Sequence, residues 1–128
     1  MFTEPLPRIA PQYSKLKNAK TILLWNMDHD VFGDGTVVIK YAPGHTAGHQ
    51  MLFLRLAKTG PVLLAGDLYH YSEERTLDRV STFDTDRNQT RATRKRVEEF
   101  LKSTNAQMWI QHDIALHKKL KKAPEYFD

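Results

Sequence analysis

Runs of apolar residues along the chain predict a sheet of five strands. The runs are residues 20–25, 36–41, 50–56, 62–65 and 107–110, and turn residues such as Gly33-Asp34-Gly35, Pro43-Gly44 and Gly60-Pro61 separate several of them. The run Val62-Leu63-Leu64-Ala65 does not alternate with polar residues. An unbroken apolar run is typical of a strand that is buried on both faces or central in its sheet.

One long helix is predicted between the fourth and fifth strands, from about Arg87 to Ser103. Asp86 followed by Gln89 has the spacing of a capping box at its start. The residues expected on its buried face are spaced as on one side of a helix, and they are Thr93, Val97, Phe100, Leu101 and Thr104. Short helices are predicted within residues 71–80 and around residues 114–120. Residues 1–18, which contain three prolines, are predicted to be an irregular lead-in to a domain over residues 19–128.

The resulting order, β-β-β-β-α-β, predicts an α/β domain with its helices packed on one face of the sheet. The opposite face would then be apolar and uncovered. An exposed apolar surface of this kind favours association, either with a partner half or with a second copy of the chain.

Composition adds three constraints to this pattern. The chain has 128 residues, 41% of them apolar and 27% charged, as expected for one globular domain. It lacks both an apolar run near the ~20 residues of a membrane span and the basic and apolar regions of a secretory signal. A cytoplasmic location without membrane contact is therefore expected. Because cysteine is absent, any metal site must use His, Asp or Glu.

The net charge of +4 does not indicate a nucleic-acid partner. Nine of the 19 lysines and arginines fall in segments 87–96 and 117–122, without the interspersed aromatic side chains of a single-strand binding platform. The first segment lies on the predicted long helix, so a solvated helix face is the better interpretation.

Candidate chemistry is found where three predicted strands meet loops. His45 and His49 lie in the glycine-bracketed loop Pro43-Gly44-His45-Thr46-Ala47-Gly48-His49, Asp67 follows the fourth strand, and His112-Asp113 follows the fifth. Each has an ordinary alternative: a polar turn, a capping aspartate, or a structural histidine. Three strand ends that each supply His or Asp are nevertheless how zinc is held without thiolates.

With these motifs in this order, the sequence from about Tyr13 onward resembles the metallo-β-lactamase-fold hydrolases, in particular the N-acyl homoserine lactonase-like branch. The resemblance implies the C-terminal half of an αβ/βα sandwich. It further implies His45 as a ligand of one metal, Asp67 as the bridging carboxylate and His112 as a ligand of the other metal, with His49 and Asp113 supporting them. The implied cofactor is zinc, as one or two divalent cations, with manganese, iron or cobalt as alternatives.

The chain departs from this family pattern in two respects. The upstream His-x-His-x-Asp-His motif is absent, and the nearest string, Asp28-His29-Asp30, does not match it, so we expect His29 to be a loop residue. Because the bridging Asp67 counts for both cations, three ligands leave each cation with only two. This predicts weak metal binding by this chain alone. Where lactonases of this type often have a tyrosine, three residues after the bridging aspartate, the chain has His70 between Tyr69 and Tyr71.

The function implied by the resemblance is metal-dependent hydrolysis of a small-molecule ester or lactone. A metal-bound hydroxide would open a ring such as that of an N-acyl homoserine lactone. Asp67 and one of Tyr69, His70 and Tyr71 are the candidate catalytic residues, although packing in the core would explain Tyr69 equally well. The alternatives are a non-catalytic remnant or binding module, and one half of a split hydrolase.

Overall fold

The computed structural model describes residues 14–16 and 18–128, so most of the predicted lead-in lies outside the described residues. Five strands form one sheet in the order β1-β2-β3-β4-β5. The first four pair antiparallel, and β5 runs parallel to β4. The strands are β1 (His29–Asp30), β2 (Val37–Tyr41), β3 (Gln50–Leu56), β4 (Gly60–Leu64) and β5 (Gln107–Trp109).

Within the described residues, three α-helices accompany the sheet: α1 (Glu73–Thr76), α2 (Arg87–Thr104) and α3 (Ile114–Lys119). The Asp86 half of the predicted capping box is confirmed, because the Asp86 carboxylate accepts a hydrogen bond from the Gln89 backbone N–H at 2.9 Å. The backbone N–H of Asp86 instead donates to the Gly44 carbonyl. The helix ends at Thr104, and the capping residue that follows, Asn105, has the left-handed conformation. None of the described helices combines the length and apolar character needed to span a membrane.

The turn between β1 and β2 is the predicted Gly-Asp-Gly turn. The Asp30 carboxylate accepts hydrogen bonds from the backbone N–H groups of Gly33 and Gly35, at 2.9 and 2.7 Å. Both glycines have a positive φ near 75°, which a residue with a side chain rarely adopts. This turn sets the register in which Asp30 lies opposite Val38 across β1 and β2.

The hydrophobic core lies between the sheet and α2. Met51, Phe53 and Leu63 of the strands pack with Val97 and Leu101 of the helix. Since successive side chains of a strand point to opposite faces, their neighbours lie on the other side of the sheet. Several residues of that face are only half-buried, as predicted for a face without helices, and they include Ile39, Leu52, Leu54 and Leu64; Val62 on the same face is fully buried.

The predicted first strand is wrong. Residues 20–25 have no regular structure, and Ile22 and Trp25 are exposed at 71% and 75%. The strand beside β2 is instead β1, which contains His29, so the expectation that His29 lies in a loop is also wrong. A β-prone segment becomes a strand only when a neighbour supplies hydrogen bonds and packing, and β1 already occupies that edge.

Candidate metal centre

The candidate ligands meet at one edge of the sheet because of its strand directions. β2, β4 and β5 run the same way, with β3 antiparallel between β2 and β4. Their carboxyl ends therefore lie at a common edge. His45 follows β2, Asp67 follows β4 and His112 follows β5, so the loops that leave this edge bring the three side chains together.

Asp67 lies between two imidazoles, one beside each oxygen of its carboxylate. His112 Nε2 is 2.7 Å from Oδ1 and His45 Nε2 is 3.7 Å from Oδ2. Partial burial opposes ionisation of Asp67. The hydrogen bond to His112 and the nearby His45 outweigh that effect and hold the pKa of Asp67 below its usual value. The carboxylate is thus ionised and has a histidine on each side.

His70 joins the same cluster. Its ring stacks on that of His112 with centroids 5.2 Å apart, and it lies 5.7 Å from the ring of His45. One ligand atom from each of Asp67, His70 and His112 lies within 4.8 Å of the other two. Of the candidates in residues 69–71, His70 is the one that the structure brings to the cluster.

Two of these histidines have a carboxylate near Nδ1 of the ring. His45 Nδ1 is 2.9 Å from Oδ1 of Asp84, a side chain that is only 1% exposed and also accepts a hydrogen bond from the Thr90 hydroxyl. His70 Nδ1 is 3.6 Å from Oε1 of Glu74. A carboxylate at the outer nitrogen is usual for a metal-binding histidine. Sequence analysis missed Asp84 and Glu74, since neither follows a strand or has a motif spacing.

His49 supports Asp67 and has no nitrogen left for a metal. Its Nδ1 is 2.7 Å from the carbonyl oxygen of Ala42, and its Nε2 accepts a hydrogen bond from the backbone N–H of Asp67 at 2.9 Å. Burial lowers the pKa of His49, which favours the neutral ring that this pattern requires. The geometry agrees with the bracing role expected from the resemblance.

Asp113 links the two loops that carry His70 and His112. Its carboxylate accepts hydrogen bonds from the backbone N–H and hydroxyl of Ser72, two residues after His70. It also accepts from the N–H groups of Ala115 and Leu116 and so caps α3. Among these donors, Ser72 contributes most to holding the pKa of Asp113 below its usual value. Its position is that of a supporting residue.

The two tyrosines beside His70 are directed elsewhere. Tyr69 is 3% exposed, donates its hydroxyl to Glu98 Oε1 at 3.1 Å and packs under the guanidinium of Arg94. Burial is the main reason why the pKa of that hydroxyl is raised. Tyr69 is therefore a packing residue, and the structure does not support its candidacy as catalytic. Tyr71 is 57% exposed and lines a shallow hollow beside α1.

The residues at this edge fit a divalent cation. Imidazole and carboxylate are the donors that zinc and other first-row metals accept in proteins without thiolates. Here three imidazoles surround one ionised carboxylate, and two of the imidazoles have carboxylates at their outer nitrogens. The chemistry of the donor set is thus that of a metal site.

Comparison with known proteins identifies relatives of one activity. No family model matches the chain. The N-acyl homoserine lactonase AttM of Azorhizobium caulinodans is 36% identical over 105 residues, which are 78% of this chain and 38% of that protein. The N-acyl homoserine lactonase AiiA of Bacillus thuringiensis subsp. kurstaki is 32% identical over 112 residues, covering 84% of this chain and 44% of AiiA.

Solved structures agree with these matches. An N-acyl homoserine lactone hydrolase with the product N-hexanoyl-L-homoserine bound at its catalytic metal centre superposes with a TM-score of 0.68 and 32% identity, over 77% of this chain and 38% of that one. A B. thuringiensis AiiA variant with N-decanoyl-L-homoserine at its active site matches equally well. The metallo-β-lactamase-type fold expected from the sequence is confirmed. The chain spans about two fifths of the length of the relatives that it matches.

Proposed function

Because this chain is homologous to N-acyl homoserine lactonases, we propose that it forms part of a metal-dependent hydrolase that opens the lactone ring of N-acyl homoserine lactones. The homologues carry this activity in their names, and they are longer than this chain. The activity, the substrate and the contribution of these residues to a complete site are therefore proposals.

One observation carries the proposal: the Asp67 carboxylate has His112 at one oxygen and His45 at the other. A carboxylate with an imidazole at each oxygen can hold divalent cations at a fixed place on the sheet edge. In this proposal His45, Asp67 and His112 are ligands, and zinc is the first choice of metal. A bound divalent cation would supply Lewis-acid polarisation of the lactone carbonyl and activation of water.

Hydrolysis consumes one water molecule per ring. The water oxygen forms a new bond to the carbonyl carbon, the ring C–O bond breaks, and the ring oxygen takes a proton to become the hydroxyl of the product. The cluster is open to such a substrate, since the side chains of Asp67 and His112 are 41% and 53% exposed. The buried Asp84 holds the His45 ring in a fixed orientation during these changes.

The direct test is a lactonase assay on the purified chain. We would incubate it with N-hexanoyl homoserine lactone and zinc, manganese or cobalt, and follow ring opening by mass spectrometry and proton release. Asp67→Asn should abolish any turnover, because it removes the negative charge of the carboxylate that lies between His45 and His112. The matched control is Asp78→Asn, since Asp78 is 78% exposed and lies outside the cluster. Equal turnover by D67N and wild type would contradict the proposal.

A chimaera tests the same residues within a complete lactonase. The segment of B. thuringiensis AiiA that this chain matches would be replaced by the chain itself. We expect lactone opening by the chimaera and its loss in the D67N chimaera. A folded, inactive chimaera would instead favour a non-catalytic remnant or binding module. Hydrolysis of a phosphodiester but not of the lactone would exclude the proposed substrate class.

A further inference from the structure

We propose that one divalent cation is bound within this chain by three of its own side chains, Asp67, His70 and His112, with His70 as the additional ligand. The inference deepens the proposed function and rests on it for the role of the metal in the reaction. The binding itself can be tested separately. It replaces the expectation of two equally incomplete sites with one complete site in this chain. His45, at the other oxygen of Asp67, remains the proposed ligand of a second site that this chain leaves incomplete.

The first argument is distance. One donor atom from each of the three residues lies within 4.8 Å of the others. Two ligands of a tetrahedral zinc ion, each about 2 Å from the metal, lie about 3.3 Å apart. His70 and His112 are at the surface, with side chains 24% and 53% exposed. Rotation of these two imidazoles therefore closes the remaining distance without disturbing the core.

The second argument is the support behind His70. Its backbone N–H donates to Glu74 Oε2 at 3.2 Å, and its Nδ1 lies 3.6 Å from Glu74 Oε1. Glu74 is itself held by the guanidinium of Arg94 at 2.7 Å, and Arg94 is 5% exposed. A carboxylate at Nδ1 leaves Nε2 as the coordinating atom and strengthens it as a donor. A small rotation of the His70 ring would bring Nδ1 from 3.6 Å to hydrogen-bond distance of Glu74 Oε1.

The third argument is the number of ligands. Catalytic zinc commonly has three protein ligands and one solvent position. Asp67 and His112 alone supply two ligands, with Nε2 of His112 beside Oδ1 of Asp67, and His70 brings the number to three. His45 is not part of that group of three: its Nε2 lies at 3.7 Å from the opposite oxygen, Oδ2. This site is thus complete within residues 67–112, and it does not depend on ligands from outside this chain.

The test is titration of the full chain with Co²⁺, followed by calorimetry and by the visible absorption of the bound metal. We expect one Co²⁺ per chain. His70→Ala should weaken binding by more than the roughly 10- to 100-fold lost when an outer partner of a ligand is removed, and should change the absorption spectrum. His117→Ala is the matched control, because His117 is an exposed histidine of α3. It should leave both readouts unchanged.

Folding of H70A can be checked by circular dichroism, and Glu74 keeps its ion pair with Arg94 in this variant. The inference is overturned if H70A binds Co²⁺ as tightly as wild type, if two cations bind per chain with similar affinity, or if H45A loses binding while H70A retains it. If Co²⁺ binding depends on His70 but no lactone is opened, the proposed function fails and the metal site stands.

Discussion

His49 fixes the position of Asp67 because both of its ring nitrogens are used. One nitrogen bonds the carbonyl of Ala42 in the loop after β2, and the other bonds the N–H of Asp67 after β4. The ring thus ties two loops together at the sheet edge. It also lies against Gly66, where an added Cβ would come within 2.7 Å of His49 Nε2.

We therefore predict that His49→Ala both destabilises the chain and weakens metal binding. The substitution leaves the Ala42 carbonyl and the Asp67 N–H without their partner, which costs about 1–3 kcal/mol per buried group. A freer Asp67 should bind Co²⁺ about 10- to 100-fold more weakly. Urea unfolding and Co²⁺ titration measure the two effects, with H117A as the control. Wild-type stability in H49A would show that these hydrogen bonds are not formed.

The residues that sequence analysis found at the cluster are those that follow strands. His45, Asp67 and His112 each come shortly after an apolar run, so local patterns place them at a sheet edge. Asp84 could not be found in this way, because it reaches His45 from 39 positions along the chain. The sequence indicates His70 only as a candidate catalytic residue and not as a ligand, because its place beside His112 depends on how two loops pack.

The loop after β2 rests on the first turns of α2. The backbone N–H of Asp86 donates to the Gly44 carbonyl at 2.9 Å, and the Thr93 hydroxyl donates to the Pro43 carbonyl at 2.7 Å. Gly44 has φ +138, and a Cβ there would lie 2.5 Å from the Thr90 backbone nitrogen. The close approach of loop and helix holds His45 near Asp84, so a glycine is needed at this position.

Gly44→Ala should accordingly destabilise the chain and displace His45. The backbone strain alone is on the order of 1–3 kcal/mol, and the clash with Thr90 adds to it. Gly48→Ala in the same loop is the matched control, because its Cβ would meet nothing within 4 Å. Thermal unfolding of the two variants measures the difference. A G44A variant as stable as G48A would show that loop and helix are not in contact as described.

An ion pair joins α1 to α2 and has a predictable pH dependence. Arg75 donates to Glu98 through Nε at 2.9 Å and Nη2 at 2.7 Å, and Tyr69 donates to the same carboxylate. Partial burial opposes ionisation of Glu98, but these donors hold its pKa below the ordinary 4.5. A carboxylate whose pKa is lower in the folded state than in the unfolded state makes its full contribution to the stability of the fold above the unfolded pKa. That stability is lost as the pH falls through the folded value.

We predict that Glu98→Gln reduces the loss of stability on acidification below about pH 4.5. The effect at neutral pH should be about 1 kcal/mol or less, since Arg75 and Glu98 are 40% and 31% exposed. Glu99→Gln is the matched control, because Glu99 is exposed on the same helix. Urea unfolding between pH 3 and 7, taken in roughly unit steps, compares the three proteins. Parallel pH profiles for E98Q and E99Q would rule out the role assigned to this ion pair.

At the level of elements, prediction succeeded where local chemistry was sufficient. The helix α2 was predicted because Asp86 caps it and its apolar spacing is regular, and both features act over a few residues. Residues 20–25 have strong β propensity but no strand beside them, and they did not form a strand. Pairing in a sheet is decided by neighbours that are distant in sequence.

Metal binding should stabilise the whole chain, because the three proposed ligands belong to two different loops. Asp67 and His70 follow β4 and His112 follows β5, so a cation would crosslink the carboxyl ends of the two parallel strands. Asp113 and Ser72 already join the same loops. A ligand that binds only the folded state adds about 2.7 kcal/mol at a free concentration of 100 times its Kd.

We expect the Tm of the chain to rise steadily with added zinc or cobalt and to return to its starting value when a chelator is added. The rise should be absent in D67N and sharply reduced in H70A at the same metal concentration, because each lacks one of the three ligands. D78N and H117A should respond as the wild type does. Differential scanning fluorimetry at several metal concentrations measures the shift. An equal rise in D67N and wild type would place the bound metal elsewhere on the chain, because Asp67 is the one carboxylate among the three proposed ligands.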